Sequence, residues 1–160
     1  SKLISPALRV GYLVGPVELV KQLTGLAEDT ILTPVLLTQA AVVEFHKHGY
    51  FTSNLESLKQ LYAPRLQAVV RALRTHLPEI PFAEPQGGFF VSLNLPESHN
   101  LVARAQERGL VLSDGRAFFA DPLDEGMDEA QRGESFVRLP FCALTPEQIE
   151  EGIQRLATLV

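Results

Sequence analysis

Apolar residues recur along this chain in two periods, and the places where the period changes mark its elements. After Pro16, "VELVKQLTGLAED" sets Leu19, Val20, Leu23 and Leu26 at helical spacing, with the proline suited to a first turn. Thr33 and Pro34 restart a helix through "PVLLTQAAVVEFHKHG", which Gly49 closes. Asn54 is the expected cap of a long third helix, whose apolar stripe runs Leu55, Leu58, Leu61, Leu66, Val69, Val70, Leu73 and Leu77. Pro64 is expected to bend or restart that helix, and Pro78 to end it.

Extended segments carry the other period. Leu8 to Gly15, "LRVGYLVG", is a short apolar, β-branched run that fits a buried strand of a parallel sheet. "IPFAEP" and "GGFFVSLNLP" predict two strands joined by a turn at Pro85 to Gly88, with Phe90, Ser92 and Asn94 alternating against Phe89, Val91 and Leu93. Of Phe89 and Phe90, one is expected in the core and the other against a pocket. A helix "NLVARAQERG", a strand "LVLSDG" and an exposed acidic loop from Asp121 to Glu134 follow. The chain closes with a strand, "SFVRLPFCAL", and a helix capped by Thr145 with Pro146 in its first turn. The class predicted is α/β: an α/β-type segment followed by an α+β layer of helices on a small, largely antiparallel sheet.

Composition narrows the function classes. At 160 residues, 46% hydrophobic and 21% charged, the chain can bury a core of its own and is not broadly disordered. A net charge of −5 without any basic cluster excludes a nucleic-acid surface, which needs a basic stripe. The single cysteine, Cys142, excludes an internal disulfide framework and reads as a small core residue. No apolar run approaches a membrane span and no secretory leader pattern is visible, so a cytosolic (cytoplasmic) location is expected. His46 and His48 point to different faces of their helix end, so no metal site is expected. Neither a phosphate loop nor a serine-nucleophile motif occurs.

Candidate chemistry concentrates at two cations near the first residue and one near the end. A lone lysine is ordinarily a solvated surface charge. In "SKLISPALRVGYLVG", however, Lys2 and Arg9 sit in a segment that resembles the cofactor-lysine region of fold type I, class I/II pyridoxal-phosphate aminotransferases. There a Ser-Lys pair, a Pro-x-Leu-Arg and a Gly-aromatic run follow in this order. The resemblance continues through "LYAPRLQAVVRAL", "PQGGFFVSLNLP", "ERGLVLSDGRAFF" and "VRLPFCALTPEQIEEGIQRLA". It implies that Lys2 carries pyridoxal 5'-phosphate covalently and moves the substrate proton, that Arg9 holds the phosphate, and that Arg138 of "VRLPF" receives the substrate α-carboxylate. An amine can bond to an aldehyde and then shuttle a proton, whereas a guanidinium stays charged and forks onto oxyanions. Gly87 and Gly88 would admit substrate close to the backbone. Apart from the family, an ion pair between Arg138 and Glu134 or a helix carboxylate is the reading the residues favour.

The same resemblance implies a division into residues 1–50, the end of the large cofactor domain, and 51–160, the small domain with the long interdomain helix. It implies a parent that exchanges an amino group between an amino acid and a 2-oxo acid, and acts as a homodimer. Family enzymes carry their phosphate turn, ring-stacking aromatic and pyridine-nitrogen carboxylate before the lysine, so this chain is expected to be a C-terminal portion inactive alone. Three positions depart from the pattern: Ala7 replaces a usual glycine, Asp114 a usual proline, and the usual hydroxyl residue would precede Ser1. The effector-sensing, aminotransferase-like domain of MocR-type transcription regulators is the alternative. 2-Aminoadipate-type and aromatic-type enzymes fit equally well.

Overall fold

The computed structural model describes residues 2–95, 98–118 and 136–160, and the chain folds as two compact units, Ser1–Gln60 and Leu61–Val160. The expected acidic loop from Asp121 to Glu134 lies outside the described residues, as does Ser1.

The first unit is helical. A 3-10 turn, Pro6–Leu8, opens where the Ser5 hydroxyl accepts the Ala7 N–H at 3.3 Å, and Arg9 closes it in the left-handed region at φ 52°. Helix α1 spans Val17–Ile31 and α2 spans Leu36–Lys47, close to the predicted limits. Gly49, at φ 74°, closes α2 as foreseen, in a conformation that costs glycine nothing. The strand expected over Leu8–Gly15 does not form. A strand exists only through a partner's ladder, and the other regular elements of this unit are helices. Tyr12 is accordingly 94% exposed and Val14 86%.

Neither α1 nor α2 buries a residue, and Leu19, Leu23 and Leu26 of the predicted stripe are exposed. Every buried apolar residue among those described lies between Ala68 and Leu159, in the second unit.

Helix α3, Tyr50–His76, begins directly after Gly49. Asn54 is therefore inside the helix instead of capping it, and its side-chain amide donates to the Leu3 carbonyl. Pro64 neither restarts nor ends α3. Its missing N–H leaves the Gln60 carbonyl without a helical donor, but the good helix formers on both sides carry the helix through.

In the second unit, strands β1 (Phe90–Asn94), β2 (Ser113–Asp114) and β3 (Phe136–Pro140) form an antiparallel sheet in the order β1-β3-β2. "IPFAEP" contributes only the isolated bridge Phe82 to Leu93, and "LVLSDG" only its last turn-proximal pair. The pairings Val91 with Leu139 and Leu93 with Val137 put four buried side chains on one face. Against them pack Ala68, Val69, Ala72 and Leu73 of α3, Leu101 and Ala105 of α4 (Ser98–Glu107), and Ile149, Ile153 and Leu156 of α5 (Pro146–Ala157). His76 and Glu150, 2.6 Å apart, tie the end of α3 to α5.

Helix α5 starts as its sequence dictates. The Thr145 hydroxyl accepts the Gln148 N–H at 3.3 Å, and the Gln148 side chain accepts the Thr145 N–H at 2.9 Å. The Thr145 hydroxyl, and secondly its own backbone N–H, hold the exposed Glu147 carboxyl below the usual carboxylate range. Its contribution is present above its unfolded pKa and is lost as pH falls through the lower folded value. Thr145→Ala is expected to cost about 0.5–2 kcal/mol, read as a lower midpoint in urea unfolding at neutral pH.

Candidate functional site

The residues predicted to carry chemistry fall in both units. In the first, Lys2 and Arg9 are exposed on either side of the Pro6–Leu8 turn, and Arg9 takes its positive φ as the residue that ends it. The turn is local in origin: Ser5 caps it, Pro6 fixes its first φ, and the Arg9 N–H returns to the Pro6 carbonyl.

In the second unit Arg138 occupies the middle of the central strand. It pairs with Ser92 on one side and with Ser113 on the other, so these three side chains share the face opposite the core. The burial pattern of β3 agrees, since Val137 and Leu139 are buried while Arg138 is half-buried. Two short hydroxyl side chains beside a long cation leave room above the sheet for its head group.

That head group meets two aromatic rings. The guanidinium carbon lies 3.5 Å from the Phe90 ring centroid and 4.5 Å from that of Phe118. Phe90 is the diagonal neighbour of Arg138 across the β1–β3 ladder, and Phe118 ends the 3-10 turn Gly115–Phe118 that leaves β2. Ring contacts at these distances attract the cation through the ring quadrupole. The alternative partner considered for Arg138, Glu134, lies outside the described residues.

Phe89 turns the other way. Its ring meets Tyr62 of α3 edge to face at 5.1 Å, and its carbonyl accepts the Phe141 N–H at 3.0 Å, extending the ladder. Arg65, 5.6 Å from the Tyr62 ring, donates to the Cys142 carbonyl. Cys142 is thus half-buried at the edge of the core instead of within it.

Gly87 and Gly88 are exposed in the turn before β1. Gly88 has φ 87°, which makes glycine a backbone requirement there, whereas a Cβ at Gly87 would meet nothing within 4 Å. Sequence reasoning missed Phe118, whose only signal is an aromatic pair after a glycine turn, "GRAFF". Among the described residues no group of three His, Cys, Asp or Glu side chains is placed to hold a metal, and no helix is long and apolar enough to cross a membrane.

Arg138 thus stands at the middle of a small antiparallel sheet, downstream of a lysine and an arginine that flank a Ser-Pro turn. The model of the aminotransferase class I and II family matches residues 2–156, and the chain belongs to that family. It is 33% identical to the 2-aminoadipate transaminase of Thermus thermophilus over 98% of its own length and 38% of that enzyme's. A crystal structure of LysN, an α-aminoadipate aminotransferase from Thermus thermophilus, in complex with N-(5'-phosphopyridoxyl)-L-leucine, superposes over 99% of this chain and 39% of that one, with a TM-score of 0.81 and 31% identity. The probable rhizopine catabolism regulatory protein MocR of Rhizobium meliloti is 29% identical over 98% of this chain and 31% of its own. The chain therefore spans under two-fifths of the length of these relatives.

Proposed function

We propose that this chain is the C-terminal portion of a pyridoxal-phosphate-dependent aminotransferase that exchanges an amino group between an amino acid and a 2-oxo acid. The observation that carries the reading is Arg138, held at mid-sheet with its guanidinium against the rings of Phe90 and Phe118. Residues 1–50 are then the end of the large cofactor domain and 51–160 the small domain, and the apolar stripe exposed on α1 is a surface for the rest of the large domain. The whole protein is a cytosolic homodimer in this reading.

The donor set fits the cofactor's chemistry. An exposed amine and an exposed guanidinium flank one turn, and an aldehyde and a phosphate are the groups such cations take. When bound, the cofactor supplies the electron sink that lets an α-hydrogen leave as a proton. The Lys2 amine accepts that proton at the substrate α-carbon and returns it, and Arg9 fixes the phosphate. Arg138 binds the α-carboxylate through two parallel N–H bonds, which orients the substrate α-carbon. Gly88, which carries no side chain, leaves the turn before β1 open to the substrate.

Arg138→Ala in the whole protein is expected to weaken amino-acid binding by about 2–5 kcal/mol, the loss typical of truncating one partner of a desolvated charge pair. Equilibrium titration with amino acids and 2-oxo acids measures it, and unchanged affinity removes the assignment. A second reading rests on the similarity to MocR: the same portion would bind an effector for a transcription regulator. Coding sequence for a helix-turn-helix module ahead of the large domain, with effector binding and no turnover, distinguishes it from an enzyme.

A further inference from the structure

We propose that Phe90 and Phe118 are positioning residues that hold the Arg138 guanidinium in the plane needed for a carboxylate. The inference rests on the carboxylate role given to Arg138 above. It is carried by separate observations: two rings from different elements converge on one cation, at 3.5 Å and 4.5 Å from its central carbon.

The arrangement follows from the sheet. Arg138 is in the central strand, so an element flanks it on each side. β1 supplies Phe90, two residues along from the directly paired Ser92, and an aromatic side chain spans that diagonal. The segment after β2 supplies Phe118, beyond the directly paired Ser113. Phe118 is 47% exposed, so its ring adds little to the core, and its described contact is the cation.

Chemistry explains why rings suit this task. An arginine stem has several rotatable bonds, and freezing them on ligand binding costs affinity. A carboxylate placed to steady the guanidinium would occupy the N–H donors the ligand needs. Aromatic faces attract the cation through the ring quadrupole and take none of those donors. Held by its faces, the guanidinium keeps its fork for a planar carboxylate that meets it edge to edge.

The test uses the whole, cofactor-loaded protein with Phe90→Leu, Phe118→Leu, Phe90→Tyr and Arg138→Lys. Calorimetric Kd values are taken for a non-reacting dicarboxylate, and KM and kcat for an amino acid and for an alkylamine lacking the α-carboxylate. Each leucine variant is expected to raise Kd and KM for the carboxylate compounds about tenfold. The alkylamine constants should stay near wild type, and Phe90→Tyr should restore carboxylate affinity. Leucine variants that bind the dicarboxylate like wild type, while Arg138→Lys does not, overturn the positioning role alone. Equal losses for carboxylate and alkylamine also overturn it, because they report a general packing defect. If Arg138→Lys leaves carboxylate affinity intact, the reading of Arg138 fails and this one with it. Melting curves accompany each variant, and half-exposed Phe118 provides the arm in which truncation leaves the core untouched.

Discussion

Alanine at position 2 is expected to abolish amino-group transfer by the whole protein while leaving both units folded. Lys2 is exposed in this chain and belongs to no buried cluster, so its removal takes nothing from the core. Surface substitutions of that kind usually change stability by less than about 0.5 kcal/mol. The chemical loss is of another order. A positioned general acid-base group alone contributes about 10²–10⁴-fold, and Lys2 is also assigned the covalent anchoring of the cofactor. Lys2→Arg separates charge from chemistry: a guanidinium keeps the positive charge but does not give up its proton in proteins, so this variant should be as inactive as alanine. Product formation under single-turnover conditions, set beside unfolding curves, measures both halves of the expectation. Transfer retained by Lys2→Ala refutes the assignment, and activity in Lys2→Arg would reduce the residue to an electrostatic role.

The elements most legible in the sequence are those whose causes are local. Thr145, Pro146 and Gln148 define the start of α5 within four residues, and each makes the contribution its type predicts. The alternation of Val91 and Leu93 against Ser92 and Asn94 in β1 is likewise a period-two pattern read directly as a buried and an exposed face. Where sequence reading fails, the cause is non-local or depends on a competing signal. "LRVGYLVG" has the composition of a strand, but a strand needs a neighbour, and the elements around it in its unit are helices. Asn54 is a good cap residue, yet the left-handed Gly49 separates the helices earlier and α3 begins at Tyr50. The chemistry divides in the same way. Arg138 is marked by its motif, but which ring meets its head group depends on strand register, and Phe118 comes from a separate turn. Lys2 and Arg9 remain proposals resting on order along the chain and on the local turn between them.

Gly115→Ala is expected to damage both stability and carboxylate binding, by way of one crowded contact. Gly115 is buried, and a Cβ built there falls on the carbonyl oxygen, Cβ and Cδ1 of Phe136, nearer than side chains tolerate. Two of those atoms are fixed by backbone position, so relief requires β3 and the turn after β2 to separate. Overpacking of this kind costs about 1–3 kcal/mol, which denaturant unfolding will show as a reduced midpoint. The consequence for function is geometrical. Gly115 begins the 3-10 turn that ends at Phe118, and Phe136 begins the strand that carries Arg138, so moving them apart draws the ring from the guanidinium. Carboxylate affinity should therefore fall in Gly115→Ala even at temperatures where the variant is fully folded. Gly25→Ala is the matched control, because the added methyl meets nothing within 4 Å, the residue has no positive φ and it has no assigned part in binding. If the two variants prove equally stable and bind carboxylate equally well, the close approach between this turn and β3 is not a constraint on the protein in solution.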